Sequence, residues 1–149
     1  MSGALGGLTL ELRCTLDAPR ERIFKALTDP AELVKWWGPS GFTTPQIEVD
    51  LRVGGGYRFG MQPPDGELFH LAGEFLEIEP PNRLAYTFRW EEPDPDDRET
   101  VVRLSLETPA AGSTELSLSQ GRFATEARWA LHRDGWTDSF AKLSELIEP

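Results

Sequence analysis

Residues 129–147 read WALHRDGWTDSFAKLSELI, and the spacing inside that stretch decides the fold. Trp129, His132, Trp136, Phe140, Leu143 and Ile147 follow one another at intervals of 3, 4, 4, 3 and 4 residues. Such steps keep returning to one side of a 3.6-residue helix, so one apolar face runs for about five turns. The spacing predicts a helix from about Glu126 to Leu146. Gly135 falls inside it, at a cost of roughly 1 kcal/mol against alanine in a helix interior. No other stretch is as long or as strongly patterned.

Everything upstream has a different period. Leu8, Leu10, Leu12, Cys14 and Leu16 alternate with Thr9, Glu11, Arg13 and Thr15, which predicts a half-buried strand. Asp17-Ala18-Pro19 supplies a capping residue shortly before a proline suited to a first helical turn. Ile23, Phe24 and Leu27 then mark a short amphipathic helix over 19–28. Asp29-Pro30 breaks it and opens a second, about 30–36, that carries Leu33, Trp36 and Trp37 at its end. After the turn Gly38-Pro39-Ser40-Gly41, strands are expected at 43–51, 56–62, 67–79, 83–91, 100–108 and 113–120. Gly54-Gly55-Gly56, Pro63-Pro64-Asp65-Gly66, Pro80-Pro81-Asn82 and Ala110-Ala111-Gly112-Ser113 punctuate them. Glu91 to Glu99 holds six acidic side chains, one arginine and two prolines, and reads as a solvated, mobile loop.

One strand, two short helices, six strands and one long helix exclude a doubly wound parallel sheet, which needs strands and helices to alternate. The order predicts an α+β fold, a curved antiparallel sheet of six to seven strands wrapped around the C-terminal helix. Space enclosed between such a sheet and helix, lined by aromatic side chains, is the default site for a small apolar ligand.

Composition agrees with that picture. The chain has 149 residues, 39% hydrophobic and 27% charged, which suits one domain over 8–149 behind a flexible N-terminus at 1–7. The net charge of −10 disfavours nucleic acid and an anionic membrane surface as partners, since both need a positive footprint. One cysteine, Cys14, excludes an internal disulfide framework and fits a reducing compartment. Met1–Gly7 shows no basic or apolar targeting region, and no run approaches a membrane span, so a cytoplasmic location is expected.

Three motifs, in order, resemble one family. The first is Thr28-Asp29-Pro30-Ala31-Glu32-Leu33 with Trp36-Trp37-Gly38-Pro39. The second runs from Gly55-Gly56 through Pro64-Asp65-Gly66 and Gly73-Glu74-Phe75-Leu76-Glu77-Ile78 to Pro80-Pro81-Asn82-Arg83-Leu84. The third is His132-Arg133-Asp134-Gly135-Trp136 with Leu143. Together they resemble the domain named for activators of the heat-shock protein 90 ATPase, a member of the SRPBCC superfamily. The resemblance spans about Leu8 to Ile147 and implies the START-like, birch-pollen-allergen-like helix-grip fold. It also implies a chaperone-associated interaction protein as an alternative to ligand binding. The wider superfamily implies a further alternative, a cyclase-, dehydratase- or hydrolase-like enzyme using the same space. The family's co-chaperones carry an additional N-terminal domain for client binding, with no counterpart here, so little stimulation of the ATPase is expected. Phe88, after Tyr86-Thr87, stands where the family often has tryptophan.

The candidate ligand-binding residues are Trp36, Trp37, Phe59, Met61, His70, Trp129, His132, Trp136 and Phe140. Trp36 and Trp37 form either an aromatic wall at a pocket mouth or a packed corner, and two adjacent helical residues cannot both face the core squarely. Trp129, Trp136 and Phe140 carry a core spacing, but in a helix-grip fold the core side and the cavity side coincide. His70 and His132 could each serve as a general base; a buried imidazole with a local hydrogen bond is the plainer expectation. Their separation and the lack of HxH or HxxxH spacing argue against a metal. Cys14 falls on the apolar side of its strand, as a small inert hydrophobe would, with a Cys–His catalytic pair as the alternative. Glu74 and Glu77, at odd separation, point to opposite faces of a regular strand unless a bulge near Gly73 changes the parity. The glycine run at 54–56 lacks the helix and the Gly-Lys-Ser/Thr ending of a phosphate cradle. No catalytic residue, cofactor or metal is assigned. The expected partner is a small apolar molecule, and a homodimer stays open.

Overall fold

The computed structural model describes residues 8–147; the expectation of a flexible segment at 1–7 lies outside the described residues. In chain order the elements are β1 (Leu10–Leu16), α1 (Arg20–Thr28), α2 (Pro30–Trp36), β2 (Thr43–Val49), β3 (Gly56–Gln62), β4 (Phe69–Glu79), β5 (Arg83–Trp90), β6 (Thr100–Glu107), β7 (Thr114–Gly121) and α3 (Glu126–Ile147). Each element that periodicity predicts is present, with ends displaced by a few residues at most. No helix of the described residues is long and apolar enough to cross a membrane.

All seven strands form one sheet in the order β1-β7-β6-β5-β4-β3-β2, antiparallel throughout. Strands β2 to β7 run as a meander. The first two strands occupy opposite edges, and α1 and α2 carry the chain across between them. Asp29 caps α2 by accepting the Ala31 N–H at 3.0 Å, with Pro30 in the first turn where its missing N–H costs nothing. At α1 the cap position is held by Pro19, with no side-chain cap hydrogen bond. Asp17 stands two residues before that position.

Alternation along the strands sorts the sheet into two faces. Tyr57, Phe59 and Met61, Leu71 and Phe75, and Tyr86 and Phe88 are buried on the face turned to α3, as are Val102, Leu104 and Leu106 and Leu116 and Leu118. Gly73 is required where Tyr57 crosses the sheet. A Cβ there would lie 2.0 Å from the Thr87 carbonyl oxygen and 2.6 Å from the Tyr57 ring, whose hydroxyl donates to that same oxygen at 2.6 Å. Pairing slips between Phe75 and Glu77, so one residue bulges and the side-chain parity flips. Glu74 and Glu77 therefore share the outer face instead of opposing one another, a correction to regular alternation. That face points away from α3, so the pair has no part in the enclosed space.

Candidate functional site

Between α3 and the strands β3, β4 and β5 lies a pocket of about 380 Å³, within the ~300–1,000 Å³ range of small-molecule sites. Its sheet side is built by Met61, Phe69, Phe88 and Trp90, and its helix side by Leu131, His132, Gly135, Trp136 and Ser139. Trp37, Gly38, Pro39 and Phe42, from the end of α2 and the loop after it, close one end. Edge-to-face packing holds the aromatic walls: Trp37 lies 5.1 Å from Trp136, and Phe88 5.2 Å from Trp90, centroid to centroid.

The walls are fixed by hydrogen bonds that leave few polar groups over. Trp136 donates its indole N–H to Gln120 Oε1 at 2.7 Å, and the fully buried Gln120 donates in turn to Thr100 Oγ1 at 2.9 Å. This chain of bonds ties α3 to β7 and β6. His132 Nδ1 lies 2.6 Å from the Arg128 carbonyl, and Nε2 lies 3.0 Å from the Trp90 indole nitrogen. A carbonyl cannot donate and an indole N–H cannot accept, so the ring proton sits on Nδ1 and the imidazole is neutral. Burial pushes the His132 pKa below its ordinary value and outweighs the Arg128 carbonyl, which favours the charged form. Both ring nitrogens are occupied, as the plainer expectation of a buried, hydrogen-bonded imidazole has it.

Of the nine residues singled out by sequence, Trp37, Met61, His132 and Trp136 line the pocket. The other five do not. Trp36 is 1% exposed and donates to the Ala26 carbonyl at 2.8 Å, locking α2 onto α1, so the adjacent tryptophans divide core and pocket between them. Phe59 shares the inner face with Met61 but lies beneath Trp37, 4.9 Å away. Phe140 packs behind Trp136 at 5.6 Å. Trp129 sits near the start of α3, where it donates to the Thr9 carbonyl at 3.2 Å under the Arg133 guanidinium. His70 alternates with the inward Phe69 and Leu71 and therefore projects from the outer face, where Nδ1 meets Glu92 Oε2 at 3.0 Å. The residues missed include Phe42, Phe69, Phe88, Trp90 and Ser139, together with Leu131 and the charged rim of Arg128 and five carboxylates. The run Leu84, Tyr86, Phe88, Trp90 at period two would have found two of them.

The acidic segment after β5 is the mostly exposed loop its composition predicts, but its anchoring departs from expectation. It folds back over the pocket mouth, with Arg128 of α3 bound to Asp94 at 2.9 Å and to Asp97 at 3.2 Å; the Asp97 side chain is only 8% exposed. Arg58 grips both oxygens of Glu91 at 2.8 and 2.9 Å, which holds that carboxyl below the usual carboxylate range. Counter-ions from β3 and α3 anchor a segment that its own composition marks as loose. Among the described residues, His70, Glu91 and Glu92 bring ligand-type atoms within 4.8 Å of one another, a grouping that the spacing of the two histidines gave no hint of. Arg58 already takes both Glu91 oxygens, and its charge opposes a cation at that spot.

An antiparallel sheet closed by one long helix over an apolar pocket is a helix-grip architecture. The chain belongs to the family described as activator of Hsp90 ATPase homolog 1-like protein, whose model matches residues 17–148. It is similar to a crystal structure of a Chromobacterium violaceum protein at 30% identity, covering 96% of this chain and 99% of that one, with a TM-score of 0.87. A Nitrosomonas europaea protein is 28% identical over 95% of this chain and 94% of that one, with a TM-score of 0.79. An AHSA1 protein of Silicibacter pomeroyi is also 28% identical, over 93% and 96%, with a TM-score of 0.78. Among curated proteins, none matches this chain.

Proposed function

We propose that this chain binds a small hydrophobic or aromatic molecule between β3–β5 and α3. The observation that carries the reading is the state of the polar groups on the pocket walls. The Trp90 and Trp136 indoles and both nitrogens of His132 are committed to protein partners. Such a surface offers burial and aromatic contact in place of proton transfer, which favours binding over the enzymatic alternative. Cys14, on β1, is not among the lining residues, so no thiol accompanies His132 there.

Titration with the neutral probe naphthylmethanol, followed by tryptophan emission, tests the reading. Saturable binding is expected, and Gly135→Leu should abolish it while the protein still melts cooperatively, because the new side chain fills the pocket. Absence of saturable binding to the parent protein overturns the proposal. The family description keeps a second reading in view, contact with a heat-shock ATPase. Dose-dependent, saturable stimulation of that ATPase at micromolar protein would place the second reading first.

A further inference from the structure

The pocket mouth differs chemically from its walls. Five carboxylates line it: Glu92, Asp94 and Asp97 from the segment after β5, and Asp134 and Asp138 from α3. Asp134 and Asp138 are four residues apart on the helix and stand on one face together with Leu131, which is 55% exposed at the rim. The one cation among the lining residues, Arg128, is already bound to Asp94 and Asp97. Glu92 also accepts the His70 backbone N–H at 2.8 Å and meets the His70 ring at 3.0 Å, and Asp138 accepts the Ser40 N–H at 3.2 Å; with Arg133 on Asp134 and Lys142 one turn beyond Asp138, the carboxylates still outnumber the cations.

Deeper in, Ser139 is 4% exposed and accepts the Gly38 N–H at 3.1 Å. Its hydroxyl proton has no acceptor among the described residues, although it lines the pocket. A buried donor of this kind favours a ligand that brings an acceptor to it.

We infer that the ligand is an organic cation: a flat apolar body between Trp37, Phe88 and Trp136 that carries a hydrogen-bond acceptor for Ser139, with a protonated amine held at the acidic mouth. This inference rests on the apolar-pocket reading and narrows it. An anionic ligand of the same shape meets carboxylates at the mouth and an arginine already neutralised. A neutral one gains the walls alone. Low dielectric behind the amine and carboxylates on two sides strengthen its hold relative to open water.

Three probes that differ in one group separate the two claims: naphthylmethylamine, naphthylmethanol and naphthoate, titrated by tryptophan emission at low and high salt. The amine should bind about tenfold more tightly than the alcohol at low ionic strength, and naphthoate most weakly. That advantage should shrink severalfold at ~0.5 M salt, where the screening length falls to a few ångströms. The triple variant Glu92→Gln, Asp134→Asn, Asp138→Asn should bind amine and alcohol alike, and Glu115→Gln on the outer face should change neither. These positions are partly or fully exposed, so the variant keeps its fold, which the retained alcohol affinity verifies. Equal affinity of amine and alcohol for the parent protein refutes the cation inference and leaves the apolar pocket standing. An amine that binds while the alcohol does not makes the mouth a surface ion site and overturns both.

Discussion

Replacing Trp136 by phenylalanine should destabilise the protein by about 2–4 kcal/mol, most of it through a residue that is not itself changed. The indole N–H is the donor to Gln120 Oε1 at 2.7 Å, and Gln120 is fully buried beneath α3. Without that donor the amide oxygen is left unpaired, at a cost of about 1–3 kcal/mol. Loss of the second ring opens roughly 40 Å³, which adds about 1 kcal/mol at ~24 cal/mol per Å³ of cavity. The melting temperature should fall on the order of 10 °C for a domain of this size. Urea unfolding of the parent, Trp136→Phe, Gln120→Leu and the double variant forms a thermodynamic cycle. The double variant should be more stable than the sum of the single losses predicts, by about 1–2 kcal/mol, since removing both partners leaves neither group orphaned. A Trp136→Phe loss below about 0.5 kcal/mol, or strict additivity, would show that the bond does not hold the helix to the sheet.

Three further outcomes follow from the geometry. Gly73→Ala should cost about 3 kcal/mol, because its Cβ would sit 2.0 Å from the Thr87 carbonyl oxygen; chemical denaturation within 1 kcal/mol of the parent refutes this. Gly135→Ala should stabilise by about 0.5–1 kcal/mol, since its Cβ would meet only Pro39 Cγ at an ordinary 3.7 Å. A lower melting temperature would contradict it. Stability should decline as pH falls below about 6.5, the ordinary histidine value. There the unfolded chain takes up a proton that folded, neutral His132 refuses. This one group contributes a slope of at most about 1.4 kcal/mol per pH unit. His132→Gln should flatten that slope, and an unchanged pH profile in the variant refutes the assignment.

Periodicity carried nearly all of the fold because each element buries one face, and burial imprints period two or period 3.6 on the residues. The pocket was legible only where a face was read consistently. Trp136 and His132 came from the α3 stripe. Phe88 and Trp90 sat on an equally regular stripe of β5 that was not read as pocket, and parity against Leu71 would have turned His70 outward. Other features leave no local trace. The bulge between Phe75 and Glu77 is a property of how β4 pairs with β5, not of either strand alone. The folding back of 91–99 depends on Arg58 and Arg128, about thirty residues away on either side. Depth within a face is equally silent, which is why Phe59 and Met61, two residues apart on one strand, divide between core and cavity.

The placement of β1 has a consequence for how the molecule assembles. Strands β2 to β7 zip together by hairpins, whereas Leu10 can pair with Gln120 only after a loop of about 110 residues has closed. Local hairpins form before so distant a contact repays its closure entropy, which makes β1 the last strand to dock. The same late event brings the Thr9 carbonyl to the Trp129 indole, so strand and helix are clasped together in one step. Substitutions such as Leu12→Ala should therefore speed unfolding and leave the folding rate nearly unchanged, while Leu104→Ala in the meander slows folding. The edge of the sheet then works as a latch on a structure otherwise built from neighbours in sequence.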